Sequence, residues 1–328
     1  MAEQLYAFLR PEAEARASEG LWSGQPRFVQ PHLLSNALQE LIDEGRLIAE
    51  HDLTRGGRQI TTFRRSDLGD RERITADVAA RKRLLYARYL SWASGSPSAP
   101  GLIGPAAERM AHLALRDVSP ERGYQLENPL TGEAAHVLNT EVPGGPLDNA
   151  AHIYLGNPGE RYSIAVEVKS RRDWIYPTSN ELYQVLFKAA TLKRLLPQGS
   201  IVPVLVCRRA HITAFRMLKD IGGYIIESRE QWLPANNSRV DKAALLEVRN
   251  ELSFLDLTTA PAGGMHQLVR RQFATYLPNS LPVQAQRWTN AGHRFEEAYE
   301  ALWHGESLVN LARIRDGMQR QPWFQGGW

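Results

Sequence analysis

Cysteine is nearly absent, Cys207 being the single one in 328 residues. One thiol excludes a disulfide framework within the chain and a zinc site built on several cysteines. Cys207 ends the apolar run Val202-Pro203-Val204-Leu205-Val206 and is expected to be a buried strand residue. No apolar run approaches the ~18 residues of a membrane-spanning helix. The first residues lack the basic-then-apolar layout of a secretion signal, so no membrane partner is expected and cytoplasm is the expected compartment. A strong charge of one sign is also missing, the net charge being +3, so bulk charge points to no particular partner. No Walker loop or Rossmann glycine fingerprint occurs, and no nucleotide cofactor is expected. The nine histidines form no HExxH or other ligand-like pair. Lysine is scarce, with Lys82, Lys169, Lys188, Lys193, Lys219 and Lys242 the only ones among 39 cationic residues. Abundant arginine reflects overall composition as readily as phosphate binding. A lysine kept at a given position marks a place where arginine would not serve.

What remains is an ordinary globular composition, 43% hydrophobic and 23% charged, in a chain long enough for about two domains. Glu3 to about Ala17 has helical composition. Pro31 suits the first turn of a second helix, with Leu33, Leu34, Ala37, Leu38, Leu41 and Ile42 on one face and Gly45 as its stop. Arg46–His51 and Ile60–Arg65 flank Thr54-Arg55-Gly56-Gly57-Arg58 and read as a hairpin. A charged helical connector runs from Asp70 to about Trp92. Ser94-Gly95-Ser96-Pro97-Ser98-Ala99-Pro100 then breaks it, and a domain boundary is expected there. The expected domains are 1–68, a helical linker 69–99, a core 100–235 and a helical extension 236–328.

Within 100–235 the pattern is helix, three strands, helix, strand, helix, strand. Gly104-Pro105 opens a helix to about Leu115. Strands are expected at Ala135–Thr140, Ala150–Leu155 and Tyr162–Val168. Thr178 and Glu181 have the spacing of a capping box for a helix to about Leu196. Ile201–Cys207 reads as a strand, Ile212–Asp220 as a helix and Gly223–Glu227 as a last short strand. Trp288, Trp303, Trp323 and Trp328 suit a helical packing layer or a dimer contact.

Three residues carry the chemistry. Asp148 lies in Gly145-Pro146-Leu147-Asp148-Asn149, at the tight approach to a strand. Glu167 and Lys169 end the strand Ile164-Ala165-Val166-Glu167-Val168-Lys169. Alternation along a strand turns Glu167 and Lys169 to one side. If the strand after Asp148 pairs with this one as a hairpin, the carboxylates converge within one cation's reach. A hard cation such as Mg²⁺, with Mn²⁺ as the alternative, takes oxygen ligands, here Asp148, Glu167 and the carbonyl of Val168. It would polarise a scissile phosphate and acidify an attacking water. Lys169 would position that water or stabilise developing negative charge, as a compact movable charge. The bland alternative is a solvated strand end, since Glu-Val-Lys alone is common on surfaces.

The Asp148–Glu167–Lys169 spacing inside this helix–strand–strand–strand–helix–strand order resembles the PD-(D/E)XK nuclease superfamily, over roughly 130 residues. The resemblance implies an α/β, restriction-endonuclease-like αβββαβ core, in which Asp148 and Glu167 with Lys169 occupy the motif positions. The family's Pro-Asp is altered, because Leu147 separates Pro146 from Asp148. Family members often carry a Glu on the preceding helix and a Gln on the following one, and Glu108 and Gln184 fit those places. Lys188 shares the Gln184 face.

The N-terminal helix, the L-x-x-L-x-x-x-G-x-L-I run and the Arg-bearing hairpin resemble a winged helix-turn-helix domain, although its middle helix is poorly defined. In that resemblance His32, Ser35, Asn36 and Gln39 face base edges, while Arg55, Arg58, Arg64 and Arg65 touch phosphate or minor groove. Solvated arginines on a turn are the alternative, as is a protein-interaction role for the whole domain. The loop from Ser170 to Pro177 offers Arg171 and Arg172 to backbone phosphates, with Trp174 and Tyr176 either joining them or simply covering the core. A winged helix joined to this core is similar to the Mrr-like layout, which implies a Mg²⁺-dependent endonuclease on double-stranded DNA. That layout also suggests restriction or defence, and a homodimer to cut both strands. Two other readings stand: a DNA-binding regulator with an inactive nuclease-like scaffold, and a structure-specific or RNA-processing nuclease.

Overall fold

The computed structural model describes residues 30–53, 59–67, 72–95, 99–156, 159–261 and 266–328. In chain order it contains α1 (Pro31–Asp43), β1 (Leu47–Leu53), β2 (Gln59–Arg65), α2 (Glu72–Ser94), α3 (Ile103–Arg122), β3 (Gln125–Leu126), β4 (His136–Val137) and β5 (Thr140–Glu141). There follow β6 (Asn149–Leu155), β7 (Glu160–Lys169), α4 (Asn180–Leu195), β8 (Ser200–Cys207), α5 (Ile212–Ile221) and β9 (Tyr224–Glu227). The remainder is mostly helical, with α6 (Lys242–Leu252), α7 (Gln267–Arg271), α8 (Leu277–Asn290), α9 (Glu296–Trp303) and α10 (Val309–Met318). Among the described residues no helix is long and apolar enough to cross a membrane.

The chain forms two compact units, residues 1–101 with 236–258, and residues 102–235 with 259–328. The stretch expected as one C-terminal extension is therefore divided between them. In the first unit α1 begins on Pro31 and gives way to Gly45 at φ +70°, a backbone geometry that suits glycine at a helix end. β1 and β2 pair antiparallel from Leu47↔Arg65 to Leu53↔Gln59. The expected connector helix is part of this unit, since Tyr89 of α2 meets Phe254 edge to face at 4.9 Å. Trp92 Nε1 donates to the Arg239 carbonyl at 3.3 Å. The Glu3–Ala17 helix and the turn holding Arg55 and Arg58 lie outside the described residues.

The second unit is mixed α/β, built on a five-stranded sheet in the order β3-β6-β7-β8-β9. β3, β6 and β7 run antiparallel, whereas β7–β8 and β8–β9 are parallel. β8 is an inner strand and apolar on both faces, and all but its first residue are buried, as a strand covered by helices on both sides requires. Cys207 is buried at its end. One face packs Ala151, Ile164, Val166, Val202 and Val204 against α3 residues Ala107 to Val118 and against Phe273 and Leu277. The other packs Ala150, Ala165, Ile201 and Leu205 against α4 and α5, with Trp288, Tyr299 and Ile314 beyond. The period of two along β6 and β7 separates these sets.

Two local expectations fail. Ala135–Thr140 is not one strand: Leu138 and Asn139 both have positive φ, so the backbone reverses there in a tight β4–β5 hairpin. The Thr178–Glu181 capping box does not form. Ser179 is the N-cap of α4 without a side-chain cap bond, its hydroxyl instead accepting from Tyr176 N at 2.9 Å. Glu181 pairs with Arg171. The C-terminal tryptophans are a packing layer on the second unit. Trp288 is fully buried, Trp303 lies against Phe187 at 5.6 Å, and Trp328 Nε1 donates to Asp220 Oδ2 at 2.9 Å.

Candidate active site

The register of the β6–β7 hairpin, with Asn149 opposite Val166, carries Asp148 to the level of Glu167. The backbone N–H of Val168 donates to Asp148 Oδ2 at 2.6 Å, which locks the approach loop to the end of β7. Asp148 Oδ1 has no hydrogen-bond partner among the described residues. Lys169 Nζ donates to Glu167 Oε2 at 2.9 Å, so both side chains lie on the α4 side of the sheet, as alternation predicts.

The second oxygen of Glu167 is held by a residue that sequence reasoning placed only next to Gln184. Lys188 Nζ donates to Glu167 Oε1 at 2.5 Å and to the Pro146 carbonyl at 2.6 Å. Lys188 and Glu167 are each 1% exposed, so this is a buried ion pair tying α4, β7 and the loop before Asp148 together. A signal was present in the sequence. Lys188 is one of few lysines and stands among Val185, Leu186, Ala189 and Ala190 on the buried face of a helix. Gln184 is half-buried one turn earlier on that face, and Glu181 a further turn toward the helix start.

Burial raises the Asp148 carboxyl from an ordinary 3.8 to about 7, with repulsion from Glu167 adding to it; the Val168 N–H and Lys169 act against the rise. Glu108, on α3, is also raised, first by burial, then by Glu167 and Glu133, with Lys169 opposing. Glu108, Asp148, Glu167 and Lys169 therefore form one electrostatic group. Behind them His112 Nδ1 meets Asn149 Oδ1 at 2.9 Å, fastening α3 to the first residue of β6.

Among the described residues no set of three or more His, Cys, Asp and Glu side chains is arranged as a metal site. The donor chemistry nevertheless fits a hard cation. Two desolvated carboxylates with a backbone carbonyl are an all-oxygen set. Asp148 Oδ1 is available to such an ion, whereas both oxygens of Glu167 accept from lysines.

The remaining expected residues are dispersed. Arg171 is engaged with Glu181. Arg172 donates to Gln231 Oε1 at 2.9 Å, and Tyr176 stacks on His211 at 5.0 Å. Both arginines thus brace the loop after β7 against the protein. In the first unit Asn36 and Gln39 are exposed, Ser35 bonds back to Pro31 O and Gln39 Nε2 bonds Asp43 at 2.8 Å; His32 is half-buried. Arg64 pairs with Glu50 and Arg65 with Asp67. Comparison with protein families, curated proteins and solved structures finds no match to the chain.

Proposed function

We propose that the second unit is a PD-(D/E)XK-type, restriction-endonuclease-like nuclease that hydrolyses phosphodiester bonds in double-stranded DNA. On this reading the first unit is a winged helix that grips the duplex, in an Mrr-like layout. The observation that carries the reading is the convergence of Asp148, Glu167 and Lys169 at the end of the β6–β7 hairpin, with Glu108 in the same electrostatic group.

Asp148, Glu167 and the Val168 carbonyl would hold Mg²⁺ or Mn²⁺. Bound there, the ion supplies Lewis-acid polarisation of the scissile phosphate and lowers the pKa of water. The protein's own groups do the rest. Lys169 positions the attacking water and offsets charge on the phosphoryl oxygens. Glu108 and Gln184 orient that water from the flanking helices. Lys188 holds Glu167 in place from behind, being too deeply buried to reach substrate. Cutting both strands requires two sites and hence a homodimer, and restriction or defence against foreign DNA is the role this layout favours.

One observation favours a second reading, a DNA-binding regulator on an inactive scaffold: both oxygens of Glu167 already carry a lysine. Supercoiled plasmid incubated with Mg²⁺ separates the two. Nicking or linearisation by the parent chain, lost in EDTA and in Asp148→Ala and Lys169→Ala, supports the nuclease. DNA retention in EDTA with no cleavage under any metal supports the regulator. Branched, single-stranded and RNA substrates run alongside distinguish a structure-specific or RNA-processing enzyme.

A further inference from the structure

The two lysines on Glu167 carry the same charge and are held very differently. Lys188 Nζ donates twice, to Glu167 Oε1 at 2.5 Å and to the Pro146 carbonyl at 2.6 Å, and its side chain is 1% exposed. Lys169 Nζ makes one hydrogen bond among the described residues, to Glu167 Oε2 at 2.9 Å, and its side chain is 21% exposed. Lys169 is also the last residue of β7, so a flexible stem at a strand end carries its ammonium. Breaking the Lys188 contacts would strand a charge in the core, which is costly. Breaking the Lys169 contact lets an ammonium turn toward water.

The surroundings of Glu167 explain why both are present. Glu167 is buried, and Asp148 and Glu108 share its electrostatic environment. A buried carboxylate among other carboxyls needs positive charge beside it, with or without a metal ion. Lys188 meets part of that need from a fixed position. Lys169 meets the rest at Oε2, on the same carboxylate that the cation would use. An ammonium and a divalent ion repel each other strongly at contact range, so they do not share that oxygen.

On the metal-dependent reading proposed above, we infer that Lys169 is the resting counter-ion of the cation site: its ammonium occupies Glu167 Oε2, gives it up when a divalent ion enters, and swings on its stem toward the phosphate, while Lys188 stays in place. Two lysines on Glu167 are then the resting state of a working site and not the mark of an inactive scaffold. Lysine suits this position in an arginine-rich chain, because an arginine fork would hold the carboxylate through two bonds and resist displacement. Lys169 also becomes free to offset phosphoryl charge only when the cation is in place, so both sources of positive charge act together.

The test reads the lysines directly, without substrate. The full chain is lightly methylated with formaldehyde and a borane reductant, with and without saturating Mn²⁺, and each lysine is quantified by peptide mass spectrometry. Methylation of Lys169 should rise with Mn²⁺, and Lys188 should stay protected in both conditions. Lys82 and Lys242, in the other unit, should not change. In calorimetric titration Lys169→Met should bind Mn²⁺ more tightly than the parent, by about tenfold or more, since no ammonium has to leave. Mn²⁺ binding with Lys169 methylation unchanged, with Lys188 exposed instead, or with no gain of affinity in Lys169→Met would overturn the inference and leave the nuclease reading standing. No saturable Mn²⁺ binding by either chain overturns both.

Discussion

Lys188 and Glu167 form a buried ion pair whose two halves depend on each other. Removing two charges from water costs several kcal/mol per ion, recovered only when the pair is complete. Lys188→Met should therefore lower the unfolding free energy by about 3 kcal/mol in urea denaturation, because Glu167 is left buried with Lys169 alone. Adding Glu167→Gln to it should restore most of that loss. If Lys188→Met is as stable as the parent, the pair does not hold α4 to β7 as described.

Asp148 gives a prediction of opposite sign to the usual carboxylate. Folded, its carboxyl keeps the proton up to about pH 7; unfolded, it loses it near 3.8. Between those values the folded chain binds more protons, so its stability falls as pH rises through the interval. Asp148→Asn should be more stable than the parent at pH 8 without metal, by on the order of 2 kcal/mol. The gap should close below about pH 4, where the Asp148 carboxyl is protonated in both states. Thermal melts across pH check this, and a constant gap contradicts it.

At the scale of elements, the sheet was legible and its edges were not. Ile201–Cys207 is apolar at every position because β8 is covered on both faces. The apolar run from Ile164 is broken by Glu167 while β7 is still buried, and only Lys169, at its end, is half-buried. Periodicity therefore located these strands and the carboxylates at their ends. β3 and the β4–β5 hairpin are only two residues per strand, too short to leave a period. The capping box misled because Glu181 has a stronger partner in Arg171, 10 residues upstream and out of reach of local pattern. The Lys188–Glu167 pair spans 21 residues and two elements, and only the fold brings it together.

Gly132 lies against the His112–Asn149 contact beside Asp148. It has φ +90°, and a Cβ there would come within 2.6 Å of Asn149 Oδ1 and 2.7 Å of His112 Nδ1. Gly132→Ala should cost at least about 1–2 kcal/mol from the left-handed backbone alone, and more from displacing the His112–Asn149 contact. Since Asn149 follows Asp148, the substitution should also weaken divalent-metal binding. A loss of stability with metal affinity intact would show that the contact does not position Asp148.

For the whole molecule, the proposal that one unit grips DNA and the other cuts it requires a divalent cation held by Asp148 and Glu167. Calorimetric titration of Mn²⁺ into the parent chain and into Asp148→Ala and Glu167→Ala, at pH 6 and pH 8, tests this most directly. Saturable binding is expected in the parent, tighter at pH 8 as Asp148 gives up its proton, and lost in both variants. Absence of binding at either pH, or binding that survives both substitutions, would contradict it.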